Sequence, residues 1–315
     1  METIKEEIIN KWQGFDPQIG QNVFSLLRID ENCLANLYLG LNESDNRCLV
    51  HDLDGVTIDF VGFKKNNLSA YKTDRYLVLE LIGSRDYFDL FADLSIALLN
   101  SLRDIKSQQE SAGIFQKMIL KWSEFFSNAK SDRLGEKELI GLWGEMYILN
   151  SLIRDSSYSV NEALTSWRGP YNSNRDFEFE AHHIEVKTIK KDSESIEISS
   201  EFQLFREPNI EIELNVLKIY SSENGLSLGD LYAEAVSLIQ AKRGDVDIFL
   251  TAVLRKTDLA SLKDYEEFRF AKSSLLCYDL EHDGFPRICP DNLAEGVFKV
   301  KYKLKLSEIE RFIKI

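Results

Sequence analysis

The stretch Arg175-Asp176-Phe177-Glu178-Phe179-Glu180-Ala181-His182-His183-Ile184-Glu185-Val186-Lys187-Thr188 decides how this chain is read. Each half alternates with period two, the side-chain period of a β-strand. In the first half the acids share one face and Phe177 and Phe179 the other. In the second, Ile184, Val186 and Thr188 point one way, while Glu185 and Lys187 point together the other way. A turn at Ala181-His182 joins the halves, so a hairpin gathers two carboxylates and an ammonium on one surface. Carboxylates about 4 Å apart repel by about 4 kcal/mol at an effective dielectric of about 20. A hard divalent cation cancels that repulsion, and Mg²⁺ is usually held by one or two carboxylates plus waters. The alternative is a solvated hairpin face, on which an Asp176–Lys187 pair contributes about 0–1 kcal/mol.

Upstream, the spacing predicts a helix over about 136–153, with Leu142, Met146, Leu149 and Ile153 as its buried stripe. Glu145 falls just off that stripe, which places a carboxylate in a partly buried position. Gly141 and Gly144 flank it, at a cost of about 1 kcal/mol each relative to Ala. Such glycines suggest the close approach of a neighbouring backbone or ligand. The alternative is a structural glutamate satisfied by an amide or an arginine.

Downstream, strands are expected near 183–190 and 195–200, over Ile210–Tyr220, Val246–Leu254 and Phe268–Leu280, with a helix over Leu228–Lys242. A last strand, Val297–Leu306, alternates Lys299, Lys301, Lys303 and Lys305 with apolar residues. It reads either as an edge protected by lysines or as a phosphate-contacting stripe. Before the hairpin region, strands over Cys33–Leu39, Arg47–Leu53, Val56–Phe63 and Arg75–Ile82 precede two amphipathic helices. Tyr87, Leu90, Phe91, Leu94, Leu98 and Leu102 mark the first; Phe115, Met118, Ile119, Trp122 and Phe126 mark the second. The polar run Ser127–Asp132 divides the chain into an N-terminal α+β domain, 1–131, and a mixed α/β domain, 132–315.

Composition bounds the function. The 315 residues are 44% apolar and 29% charged with only 5 Pro, a globular composition. Lys plus Arg number 38 against 52 acids, a net charge of −14, which excludes a sequence-independent DNA coater. Any polyanion must meet local cations; Lys190 and Lys191, with Arg168 and Arg175, are the candidates. Four cysteines without a C-x-x-C pair argue against a zinc ribbon. A charged start and the lack of a long apolar run point to a cytoplasmic protein with reduced thiols and no membrane segment. No Walker loop, H-E-x-x-H or G-x-S-x-G is present. The four histidines are given no role, and Trp167 reads as core packing or a base-stacking ring.

Gly141-Leu142-Trp143-Gly144-Glu145, Trp167-Arg168-Gly169-Pro170, Asp176, Ile184-Glu185-Val186-Lys187-Thr188 and Ile198-Ser199-Ser200 with Gln203-Leu204 together resemble the PD-(D/E)XK nuclease superfamily. More narrowly they are similar to a PD-(D/E)XK family of bacterial proteins of this length. The closing segment Gly296-Val297-Phe298-Lys299-Val300-Lys301-Tyr302 fits the same pattern. The resemblance implies a restriction-endonuclease-like core, a central mixed sheet flanked by helices. It implies Mg²⁺ (or Mn²⁺) as cofactor, with Asp176, Glu185 and the backbone carbonyl of Val186 as ligands. Glu145 would assist the metal or its water, Lys187 would be the catalytic lysine, and Gln203 the later polar residue. Arg175 stands where the superfamily has proline, and Glu178 is a rival to Asp176. The implied activity is endonucleolytic hydrolysis of DNA in bacterial restriction or phage defence, with residues 1–131 serving specificity or docking. The implied partners are DNA, other proteins of a defence operon, and a second copy of the chain. The alternative is a non-catalytic nuclease-fold subunit of a DNA-processing complex.

Overall fold

A computed structural model describes residues 4–15, 24–30, 33–65, 67–82, 87–127, 134–155, 157–257, 262 and 264–314. Among these, one compact unit takes the residues of 1–131 and 245–254; the other takes those of 132–244, 255–257 and 261–315. The boundary run expected over 127–132 lies, from 128 on, outside the described residues, as does the side chain of Phe126.

In the first unit α1 (Ile4–Gln13) is followed by six strands: β1 (Phe24–Arg28), β2 (Leu37–Asn42), β3 (Arg47–Asp52), β4 (Phe63–Lys65), β5 (Leu68–Lys72) and β6 (Tyr76–Leu81). They form one antiparallel sheet in the order β1-β2-β3-β6-β5-β4. The β2–β3 turn is set by Asn42, whose side-chain oxygen accepts from the N–H groups of Ser44 and Asn46 at 3.0 and 2.9 Å. Two helices follow, α2 (Phe88–Ser101) and α3 (Gln108–Ser127); α2 is buried from Leu90 to Leu99. Two expectations shift. The strand expected at Cys33–Leu39 starts only at Leu37. Val56–Phe63 joins no ladder before Phe63, because its carbonyls go elsewhere: Ile58 O accepts from Lys72 Nζ at 2.9 Å and Asp59 O from Gln116 Nε2 at 2.6 Å.

The second unit opens with α4 (Glu136–Arg154) and α5 (Val160–Ser166). Then come β7 (Phe177–Glu178), β8 (His182–Lys190), β9 (Ser195–Ile198), β10 (Glu211–Leu226) and α6 (Leu228–Ala241). After α7 (Val246–Lys256), which lies largely in the first unit, follow β11 (Phe270–Asp279), β12 (Tyr302–Lys305) and α8 (Leu306–Ile309). A mixed sheet runs β11-β10-β8-β7, with β10 parallel to β8 and the other pairs antiparallel. β9 and β12 form a separate antiparallel ribbon. Leu142, Met146, Leu149 and Ile153 of α4 are buried, as their spacing predicts.

Val246–Leu254, expected as a strand, is helical. Its β-branched residues mimic a strand, but Val246, Phe249, Leu250 and Val253 lie at helical spacing and all are buried. The final basic strand is shorter than expected. It begins at Tyr302 because Lys299 has φ 57° and the N–H groups of Lys299 and Val300 are bound by Glu201. The architecture is therefore mixed α/β in both sequence halves. No described helix is long and apolar enough to cross a membrane.

Candidate active site

β7 and β8 form the expected hairpin, with Phe177 opposite Ile184 and Glu178 opposite His183. β7 ends there, so from Glu185 onward β8 has a described strand neighbour only on the β10 side. Side chains from either face of the sheet can meet at that open edge. Glu185 and Lys187 pair in register with Leu214 and Val216 of β10, whose side chains belong to the core shared with β9 and β12. The face carrying Thr188 lies against α4. A Cβ on Gly144 would overlap Thr188 Oγ1 and stand 2.8 Å from its Cβ. Gly144 thus lets the helix approach closely and sets Glu145 beside the edge. Gly141, expected to do the same, has nothing within 4 Å of its would-be Cβ.

Two carboxyl groups, Glu145 and Asp176, close on one point here, and Asp176 also acts electrostatically on a third, Glu185. Asp176 Oδ2 accepts the Val186 N–H at 2.8 Å, while its backbone carbonyl accepts from Arg168 and Gly169 N–H at 2.7 and 3.1 Å. Glu145 Oε2 accepts the indole N–H of Trp167 at 2.9 Å. A Cβ on Gly169 would overlap Glu145 Oε2 and lie 3.1 Å from Asp176 Oδ1, so both carboxyls close on one point. Glu185 is 1% exposed, and Lys187 Nζ lies 2.7 Å from its Oε1 in a buried ion pair. Its other oxygen, Oε2, has no hydrogen-bond donor among the described residues. Lys187 Nζ also donates to Gln203 Oε1 at 3.1 Å, which accepts the Ser199 N–H at 2.7 Å as well. Glu145, Asp176, Glu185, Lys187 and Gln203 therefore share one neighbourhood.

The electrostatics follow from crowding acids at a buried edge. Burial, then Asp176, pushes the Glu185 carboxyl up to about 8. The same two causes push Glu145 up to about 7. Asp176 is also raised by burial, against the pull of Lys187 and the Val186 amide. Burial alone would lower Lys187, but Glu185 and Asp176 outweigh it and hold the ammonium above its ordinary range. Lys256, at the end of α7, stabilises the ionised forms of Glu145 and Asp176 from a distance.

A divalent cation fits this chemistry in one respect. Glu185 keeps one buried carboxylate oxygen, Oε2, without a donor among the described residues, and Mg²⁺ is usually held by only one or two carboxylates plus waters. Among the described residues, though, no three His, Cys, Asp or Glu side chains form a ready metal cluster. Val186 meets the site through its N–H. Glu178, the rival of Asp176, is engaged elsewhere, by Ser173 Oγ and by Arg168 Nε at 3.7 Å.

The expected DNA-contacting residues divide. Arg175 is a correction: it is 2% exposed and donates to the carbonyls of Phe202 and Phe205, so it cannot meet a phosphate. Where the superfamily carries proline, this chain uses a guanidinium to hold the loop bearing Gln203. Lys190 is exposed and paired with Glu136 at 2.7 Å; Lys191 is exposed. Arg168 is exposed beside Glu178 and Tyr171. Trp167 is fully buried, so it packs the core and orients Glu145. Its role was legible only as the rule that a buried indole N–H needs an acceptor. Lys256 and Thr188 carry no such signal.

Comparison with known proteins found no match among curated proteins and none among solved structures. A match was found with the family described as "Putative PD-(D/E)XK family member, (DUF4420)", over residues 8–307. That span reaches well upstream of residue 136, where the motifs begin. The chain belongs to this PD-(D/E)XK family.

Proposed function

We propose that the protein is a metal-dependent phosphodiesterase that hydrolyses DNA internally, built on a restriction-endonuclease-like core formed by the second unit. The observation that supports this reading is that Asp176 and Glu145 close on one point beside the β8 edge, with the buried Glu185–Lys187 pair on the same strand. Asp176 and Glu185 would hold Mg²⁺ or Mn²⁺. When bound, such an ion supplies Lewis-acid polarisation of the phosphate and a water of lowered pKa. Lys187 acts as an ammonium, since its neighbouring carboxylates hold it protonated. In that form it would orient the water or the phosphate and stabilise charge growing on the phosphate. Glu145, titrating at about 7, can hold or release a proton near neutrality. Gln203 fixes the Lys187 ammonium, and Arg175 fixes the Gln203 loop. A role in bacterial defence, beside partner proteins docked on the first unit, rests on the family alone.

A second reading, a non-catalytic nuclease-fold subunit, is favoured by the lack of a three-ligand cluster among the described residues and by the ion pair of Lys187 with Glu185. Supercoiled plasmid incubated with protein and Mn²⁺ separates the two. Nicking by the wild type that is lost in Lys187→Ala and Glu185→Gln supports the hydrolase. Equal nicking by all three proteins, or none by the wild type, overturns it.

A further inference from the structure

We infer that the outward face of the β9–β12 ribbon, with the aromatic residues beside it, binds single-stranded nucleic acid and leads it to Lys187. This rests on the hydrolase reading and names the form of its substrate. Ile196, Ile198 and Leu304 turn inward and are buried, so the alternate residues of the ribbon face solvent. On that face Lys301, Lys303 and Lys305 are all exposed. Strand geometry spaces them about 7 Å apart. Glu197, opposite Lys303, is spoken for: it pairs with Lys137 at 2.7 Å, and Lys137 first, then Lys301 and Lys303, hold it below the ordinary range. In a chain of net charge −14, a lysine row of this kind is a local exception that suits a polyanion.

The row points at the site. β9 ends at Ile198; the next residue, Ser199, gives its N–H to Gln203 Oε1, the acceptor of Lys187. On the partner strand, the chain before Tyr302 is fastened at the same end. Glu201, 5% exposed, accepts from Lys299 and Val300 N–H at 3.0 and 2.9 Å and holds Lys299 at φ 57°. A left-handed lysine is strained and persists because the clamp enforces it. The clamp joins two loops whose neighbouring residues are exposed aromatics: Phe202 at 43% and Phe298 at 72%. Aromatic faces beside a lysine row are what unpaired bases stack on. A duplex, whose bases are already stacked, gains little from them.

The test is binding in EDTA, so that cleavage plays no part. Labelled oligo-dT, oligo-rU and a matched duplex would be titrated with full-length protein by fluorescence anisotropy. The wild type should bind single strands more tightly than duplex. The double variant Phe202→Ala/Phe298→Ala should weaken single-strand binding about 5- to 100-fold and leave duplex binding unchanged. Phe298→Tyr, which keeps a ring, should bind single strands as the wild type does. Lys301→Ala/Lys303→Ala/Lys305→Ala should lower the salt slope by about 0.7 per lost contact. The dT and rU arms identify the sugar. Wild-type affinity in both sets of variants, equal binding of duplex, or no binding of any oligonucleotide overturns the surface. Plasmid nicking by wild type alone would still support the hydrolase, so the two claims fail separately.

Discussion

Buried acids of the first unit and the acids at the β8 edge of the second are held in different ways. In the first, each buried acid has a hydrogen-bond donor to match. Glu80 accepts from Asn42 and Asn46 at 2.6 and 2.7 Å. Asp52 accepts two bonds from Arg75, and Asp93 accepts from Lys5 at 2.8 Å. Although burial opposes it, Arg75 with the Asp54 amide brings Asp52 below the ordinary carboxylate range. In the second unit Glu185, Glu145 and Asp176 are all raised, with burial the leading cause. Burying a charge is costly unless donors satisfy it. On the proposed reading the raised acids at the β8 edge serve a bound metal, while acids whose donors lower them, such as Asp52 and Glu201, belong to the fold.

The strongest way to break this contrast is to remove the cation beside a buried acid in each unit. Lys187→Met should cut Mn²⁺-dependent plasmid nicking by about 10²- to 10⁴-fold, the range for loss of a positioned catalytic group. Lys5→Met should leave nicking intact and lower thermal stability by about 1–3 kcal/mol, the cost of losing a charged hydrogen bond to a buried carboxylate. Both follow from a melt and a nicking time course. If Lys187→Met changes stability but not nicking, its pair with Glu185 is structural and the contrast disappears.

A smaller effect, of opposite sign in the two units, comes from pH. Glu185 sits at about 8 in the metal-free fold, so between pH 5 and 8 the folded state keeps a proton that the unfolded chain gives up. Stability therefore falls as pH rises through that window. Glu185→Gln is neutral at every pH; it should melt a few degrees above wild type at pH 8 and lose that advantage by pH 5. Asp52 is the reverse: its lowered pKa gives stability at neutral pH that fades as pH falls through the folded value. Asp52→Asn should melt slightly below wild type at pH 7, the gap closing in acid; Arg75 is largely exposed, so solvent screening keeps it small. Melting curves without metal from pH 4 to 9 would sharpen the contrast, and parallel curves for both variants would erase it.

What could be read from the sequence was whatever repeats within a few residues. The period-two alternation of 175–188 predicted the hairpin and put Glu185 and Lys187 on one face, the helical stripe predicted a partly buried Glu145, and only the family resemblance set Glu145 beside the hairpin. What could not be read was set by distant partners. Arg175 looked like a surface cation because nothing local shows that the Phe202 and Phe205 carbonyls will enclose it. The 246–254 segment has both strand composition and helical spacing, and its burial in the first unit decides for helix. The lysine alternation of 297–306 is regular in sequence, yet Glu201, nearly a hundred residues away in the chain, takes two of its amides and shortens the strand.

The finest distinction lies within one helix. Gly141 and Gly144 read alike in sequence, but only Gly144 meets a neighbour, Thr188 of the strand that carries Glu185 and Lys187. A methyl at 144 must push α4 off β8, a cost of about 1–3 kcal/mol for overpacking. Because Glu145 is the next residue, the same displacement moves its carboxyl away from Trp167 Nε1 and from Asp176. Gly144→Ala should therefore lower the melting temperature and also reduce nicking. Gly141→Ala, entering open space, should gain about 0.5–1 kcal/mol from helix propensity and leave nicking unchanged. Equal shifts in the two variants would mean that the helix can slide on the strand, and that the position of Glu145 at the edge is not held by Gly144.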